Sequence, residues 1–259
     1  MRDRPVPRII VVLFATVAAM YLGLCALLFI FQRSLIYFPQ PSALGGPATT
    51  FRLPVAEAEV LVSVRPHEGP KALIYFGGNA EDVSRSLPSF SREFPDHAIY
   101  LLHYRSYGGS SGTPSEEAIR KDALVLFDTV HAKHPDVLVV GRSVGSGVAV
   151  RLASRRPVSR LALVTPYYSL EELAARLYPY IPVRWLLLDK FESWRYAPRV
   201  AAPTVLVTAE HDEVIPRSST ERLYAGFARG GATLKVIAGA THDTISRSPR
   251  YFEILKGAP

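Results

Sequence analysis

Cysteine occurs once in the 259 residues, at Cys25, inside an apolar N-terminal run. The rest of the chain therefore has no disulfide, no Cys-based zinc site and no thiol nucleophile. Charged residues make up only 20% against 48% hydrophobic, which excludes a disordered chain. A dense basic run is missing too. Of the net charge of +7, the segment 1–33 carries +3, with Arg2, Arg4, Arg8 and Arg33 against Asp3. The remaining +4 is scattered and not interleaved with stacking aromatics, so no nucleic-acid partner is expected. No internal repeat is visible, and the length suits one α/β domain with a short appendage.

What is present begins with an uncharged stretch from Ile9 to Phe31. As a helix it spans roughly 34 Å, against a hydrocarbon thickness of about 30 Å. A cleaved signal peptide has an apolar core of about 7–15 residues and a small-x-small exit. This run instead leaves through Phe31-Gln32-Arg33-Ser34, and bulky Leu24 before Cys25 argues against a lipoprotein signal. Residues 9–32 are predicted to be a transmembrane anchor. Three arginines precede it and only Arg33 closely follows, which keeps residues 1–8 cytoplasmic and exports the remainder. Tyr37 and Phe38 are expected at the membrane interface.

Residues 33–57, rich in Pro, Gly and Ala from position 40, are predicted to be a linker, and 58–259 the folded domain. Glu59–Arg65 alternates as an antiparallel lead-in strand. Short apolar runs follow at Ala72–Phe76, Ala98–His103, Val137–Val140, Leu161–Val164, Thr204–Val207 and Leu234–Ile237. Helical patterns lie among them: one opening at Ala80 and ended or kinked by Pro88, then Glu116–Lys133, Val144–Ser154 and Ser218–Ala228. Continuous apolar strands alternating with helices give an α/β fold, a mainly parallel sheet with helices on both faces. The segment 166–200 interrupts this rhythm and holds both tryptophans, Trp185 and Trp194. It reads equally as a small helical cap shaping an acyl pocket and as a packed insertion covering the sheet.

Directly after Val137–Val140 stands Gly141-Arg142-Ser143-Val144-Gly145, opening a helix. Strand, sharp turn and helix are the context of a G-x-S-x-G nucleophile elbow, where side chains at the glycines would collide with strand and helix. The helix N-terminus also favours negative charge developing nearby. A second match, Gly108-Gly109-Ser110-Ser111-Gly112, lies several residues past its strand and runs into Thr113-Pro114, so it reads as a loop. A serine nucleophile needs a base oriented by a carboxylate, and after an elbow the chain order is Ser, acid, His. Of seven histidines only His211 and His242 follow Ser143, and His242 sits in a glycine-containing loop beyond a strand. Asp212 is selected as the acid, with Glu210 and Glu213 as rivals. His211 reads as a neighbour of Asp212, and Asp243 as a surface or outer carboxylate. An oxyanion needs two N–H donors. Val144 follows the nucleophile and supplies one; the loop Gly77-Gly78-Asn79 supplies the other, with Gly78 and Asn79 as candidates.

Together these residues resemble the α/β-hydrolase superfamily, and within it a single-anchor serine-hydrolase branch. That branch is related to fungal bud-emergence hydrolases and animal membrane-associated depalmitoylating thioesterases. The carriers are Gln32 to Pro39, Tyr75 to Glu81, Tyr104 to Gly108, Gly141 to Gly147, Asp212 to Pro216 and Gly239 to His242, spread over nearly the whole chain. The resemblance implies the α/β-hydrolase fold, with Ser143, Asp212 and His242 as triad and Asn79 and Val144 as oxyanion donors. It also shows two departures, both expected near the substrate entrance: Gly77 where many relatives have His, and His103 where relatives often have Asp. The implied activity is hydrolysis of an ester or thioester of a small-molecule or lipid-like acyl substrate, with no metal or organic cofactor. Two further readings are an aminopeptidase-like serine peptidase and a catalytically idle, membrane-held scaffold. The complete Ser, Asp and His set argues against the scaffold.

Overall fold

The computed structural model describes residues 8–43 and 49–257. Most of the segment expected in the cytoplasm and the middle of the expected linker lie outside those residues. The apolar run forms one uninterrupted helix, α1 (Arg8–Ile36, 29 residues), long and apolar enough to cross a membrane. It runs past the expected end of the anchor through Arg33 to Ile36. Ile9, Phe14, Met20 and Phe31 are exposed along it. Leaving such a surface in water costs about 25 cal/mol for every Å².

The expected linker does not stay irregular. Its last residues form β1 (Thr50–Val55), paired antiparallel with β2 (Ala58–Arg65) around Glu57 at φ 61°. Pro54 is tolerated because β1 is the sheet edge, where a missing N–H breaks no inner ladder. β3 (Lys71–Phe76) leads through a 3₁₀ turn over Val83–Ser86 into α2 (Leu87–Glu93). Pro88 therefore opens a helix rather than ending one, in the first turn where its missing N–H would be unpaired anyway. The chain continues with β4 (Ala98–Leu102), α3 (Glu116–His131), β5 (Asp136–Arg142), α4 (Val144–Ala153) and β6 (Arg160–Val164). Two short cap helices follow, α5 (Leu170–Leu177) and α6 (Val183–Leu186). The last elements are β7 (Thr204–His211), α7 (Arg217–Ala225), β8 (Ala232–Thr241) and α8 (Pro249–Lys256).

The eight strands make one sheet in the order β1-β2-β4-β3-β5-β6-β7-β8, parallel from β4 to β8. Alternate residues of the inner strands go to opposite cores. Ile74, Phe76, Val137, Val139 and Leu163 pack with Phe127 of α3 and Val148 of α4. Leu73, Tyr75, Leu138, Val140 and Val164 pack with Phe90 of α2 and Leu255 of α8. Both faces are covered, so each central strand reads as an unbroken apolar run.

One buried ion pair ties the hairpin, the β4–α3 loop and α3 together. Arg105 donates from Nε and Nη2 to the two oxygens of Asp122, each at 2.9 Å, and from Nη2 to the Ala56 carbonyl. The bonds to Asp122 raise the Arg105 pKa above its ordinary value. Removing one member strands the other charge in the interior. Asp122→Ala is expected to destabilise the domain by about 3–5 kcal/mol. The thermal midpoint of the detergent-solubilised protein reads this out, and an unchanged midpoint would show that the pair contributes nothing.

Candidate active site

The elbow is built by close packing. Ser143 has φ 49° and ψ −119°, a conformation that costs a non-glycine residue on the order of 1–3 kcal/mol. It is held by its N–H on the Val164 carbonyl (2.9 Å) and by Ser146, whose Oγ donates to the Ser143 carbonyl (2.6 Å). A Cβ on Gly145 would overlap the Phe76 carbonyl, and one on Gly141 would come within 2.7 Å of the Ala149 Cβ. Only glycine fits at either position. Val144 opens α4, so its N–H has no carbonyl one turn back and remains free to receive a ligand. Ser110 lies in a loop and is otherwise engaged: its Oγ donates to the His103 carbonyl (3.1 Å) and accepts from the Leu61 N–H (2.8 Å).

His242 follows directly on β8, and its Nδ1 lies 3.0 and 3.1 Å from the two carboxylate oxygens of Asp212. The Asp212 side chain is 2% exposed and also accepts from the N–H groups of Val214 (3.0 Å) and Ile215 (2.8 Å). The rival acids point elsewhere. Glu210 accepts from the Gly239 N–H, and Glu213 reaches only the backbone N–H of His242, at 3.4 Å. His211 is exposed at the end of β7, 3.7 Å from Glu210. Ser143, His242, Asp243, Gly78 and Asn79 line one polar cavity of about 580 Å³. Among the described residues no hydrogen bond joins the Ser143 hydroxyl to His242. Such contacts commonly tighten only when substrate is bound.

Along the wall of this cavity runs a network that the sequence did not announce. The Glu81 carboxylate accepts from the Tyr75 hydroxyl (2.8 Å), the Gly78 N–H (2.9 Å), Arg142 Nη1 (3.2 Å) and the Ser86 hydroxyl (3.3 Å). Arg142 in turn donates from Nη2 to the His242 carbonyl at 3.2 Å. Burial first, and the Glu81 charge second, push the Tyr75 pKa far up, so its phenol stays a donor. In the sequence, Tyr75 and Glu81 stood among the residues that carry the resemblance and Arg142 as the charged residue just before Ser143, with nothing to pair them. The network also corrects one expectation. The Gly78 N–H is spent on Glu81, which leaves Asn79 as the donor candidate in that loop. Asn79 is itself fixed: its carbonyl accepts from the Phe38 N–H (3.1 Å) and the Tyr107 hydroxyl (2.5 Å), and its side-chain amide donates to the Ile36 carbonyl (3.2 Å).

Three other expectations are revised. A Cβ at Gly77 would meet Val83 Cγ1 at 2.5 Å, so histidine has no room there. His103 is buried with Nε2 2.8 Å from the Ser63 hydroxyl, and burial lowers its pKa. Neither residue lines the polar cavity. Tyr37 is buried rather than interfacial, its hydroxyl donating to Asp189 at 3.0 Å. Among the described residues no three His, Cys, Asp or Glu side chains are grouped to hold a metal ion.

No family model matches the chain. An uncharacterised protein of Mycobacterium tuberculosis is 31% identical over 247 residues, covering 88% of this chain and 86% of that protein. Protein bem46 of Schizosaccharomyces pombe is 24% identical over 277 residues, with 93% and 91% covered. Lysophosphatidylserine lipase ABHD12 of Macaca fascicularis is 32% identical over 187 residues, 61% of this chain and 47% of the lipase. The chain thus spans about half the length of that lipase. The solved Pyrococcus furiosus esterase Pf2001 has the same fold, with a TM-score of 0.64 at 17% identity over 85% of this chain and 98% of the esterase.

Because Glu81 binds both the Gly78 loop and Arg142, Glu81→Ala should loosen two distant segments together. Hydrogen–deuterium exchange is expected to rise at residues 77–80 and 239–243 while β5 and β6 stay protected. A rise confined to 77–80 would show that Arg142 holds the histidine loop without Glu81.

Proposed function

Because the chain belongs to the α/β-hydrolase superfamily, within its bem46-type branch, we propose that it is a membrane-anchored serine hydrolase cleaving carboxylic esters or thioesters. The observation that carries this reading is His242, bonded to the buried Asp212 carboxylate and lining the same cavity as the strained Ser143. The lipase and esterase names of the relatives agree with it.

In the proposed reaction, His242 Nε2 takes the Ser143 proton as Oγ bonds to the substrate carbonyl carbon. The negative oxygen is met by the N–H groups of Val144 and Asn79. His242 then gives its proton to the leaving oxygen or sulfur as that bond breaks, leaving acyl-Ser143. Water, deprotonated by the same imidazole, releases the acid and restores the serine. Asp212 holds the Nδ1–H tautomer and stabilises the charged imidazole. No metal or organic cofactor enters these steps.

A fluorophosphonate probe is expected to label Ser143, located by mass spectrometry of the modified peptide. Label on Ser110, or labelling that survives Ser143→Ala, would refute the assignment. Asp212→Asn should lower kcat by about 10³–10⁴-fold, with Glu210→Gln and Glu213→Gln far milder. Comparable losses at either glutamate would identify a different acid. A panel of p-nitrophenyl esters, acyl thioesters and aminoacyl amides separates this activity from an aminopeptidase.

The arginines before Ile9 support a cytoplasmic N-terminus, with residues 58–259 on the opposite side. Protease added to intact spheroplasts should digest the domain and leave the anchor in the membrane fraction. Full protection of the domain would reverse the orientation.

A further inference from the structure

We propose that the C-terminal part of α1 is a wall of the substrate site. With the cap it forms a groove that receives the fatty chain of a membrane lipid directly from the bilayer. The identity of the reacting bond rests on the hydrolase reading above; the groove rests on packing alone.

A second cavity, of about 270 Å³, lies between Leu28 and Leu35 of α1 and Leu173 and Ala174 of α5, and its inner end reaches Asn79 and Val144. Asn79 also lines the polar cavity that holds Ser143 and His242. The two cavities therefore share Asn79, one of the proposed oxyanion donors, as a common wall, with Val144 on the apolar side of it. A carbonyl placed there has an apolar channel on one side and, on the other, a polar compartment including Arg142 and Arg247. That is the shape of a single-chain amphiphile, with tail, scissile carbonyl and polar head in sequence.

The α1 wall is fastened, not merely adjacent. Gln32 is buried in a largely apolar helix, where a polar side chain is costly unless partnered. Its Nε2 donates to the Leu186 carbonyl (3.2 Å), and its Oε1 accepts from the Leu188 N–H (2.7 Å). Arg33 pairs with Asp189 at 3.2 Å, and the Tyr21 hydroxyl donates to the Tyr180 carbonyl at 2.7 Å.

These bonds also fix the depth of the cap. From Arg8 to Tyr21 the helix rises roughly 20 Å, less than the hydrocarbon thickness of about 30 Å. A bilayer around α1 therefore extends past Tyr21 to the level of the cap. There Tyr180, Trp185 and Leu177 are 87%, 84% and 75% exposed, the aromatic and apolar surface that an interfacial element presents to lipid. The groove, lined from Leu28 onward, begins roughly 30 Å along the helix from Arg8, at the edge of the acyl layer, where a lipid tail can enter it.

The test uses the full-length Ser143→Ala protein in phosphatidylcholine nanodiscs, with a lysophosphatidylcholine whose acyl chain ends in a diazirine. After irradiation, cross-links should map to residues 28–36 and 170–177 and fall severalfold in Leu35→Trp and in Ala174→Phe, which fill the groove from opposite walls. Cross-links confined to residues 9–20, or unmoved by both variants, would overturn the proposal. In the Ser143 background the same variants should lower the dodecanoyl-to-butanoyl ratio of kcat/KM by about tenfold or more. Shifted cross-links without turnover of any ester would keep the groove and refute the hydrolase. Turnover with an unmoved ratio and unmoved cross-links would do the reverse.

Discussion

The Glu81 carboxylate is the point at which three separate loops of the site are held to one another. It takes the Gly78 N–H from the loop after β3 and Arg142 from the elbow, and through Arg142 it reaches the carbonyl of His242. An ion pair with side-chain exposures of 17% and 13% is screened far less than one at the surface. Every remaining acceptor position of such a carboxylate needs a donor, and Tyr75 and Ser86 supply them. The elbow, the loop after β3 and the loop of His242 are therefore positioned as a set, although 161 residues separate Glu81 from His242 by their numbers alone.

Local physics made part of this legible in the sequence. Gly141 and Gly145 could be assigned because a sharp strand-to-helix turn excludes side chains whatever surrounds it, and the structure shows Phe76 and Ala149 occupying that space. The meeting of Asp212 with His242 was legible because parallel strands deliver their C-terminal ends to one edge of the sheet. The central strands were legible because burial on both faces leaves an unbroken apolar run. Pro54 hid β1, since a proline reads as a strand breaker until the strand is known to be an edge. Pro88 misled for the opposite reason: its meaning depends on whether it stands in the first turn of a helix or within it.

What stayed hidden depends on partners distant in the chain. Tyr37, next to an apolar helix, has the composition of an interfacial residue, yet Asp189 lies 152 positions away and takes its hydroxyl into the interior. His103 and Ser110 each carry a chemistry-bearing group, but both are used to join the loop after β4 to β2. The Gly78 N–H became unavailable only because Glu81 folds back onto it. A motif names residue types, and which of their hydrogen bonds are already taken is decided by tertiary packing.

The clasp between α1 and the cap has a mechanical consequence. A membrane helix ordinarily accommodates a bilayer of different thickness by tilting. A helix bonded to its domain at Tyr21, Gln32 and Arg33 cannot tilt alone. With α1 in a bilayer, as proposed above, any tilt would carry the cap and the sheet with it, and hydrophobic mismatch would become a torque on the whole molecule. Bilayer thickness would then set the angle at which the domain leans over the membrane surface.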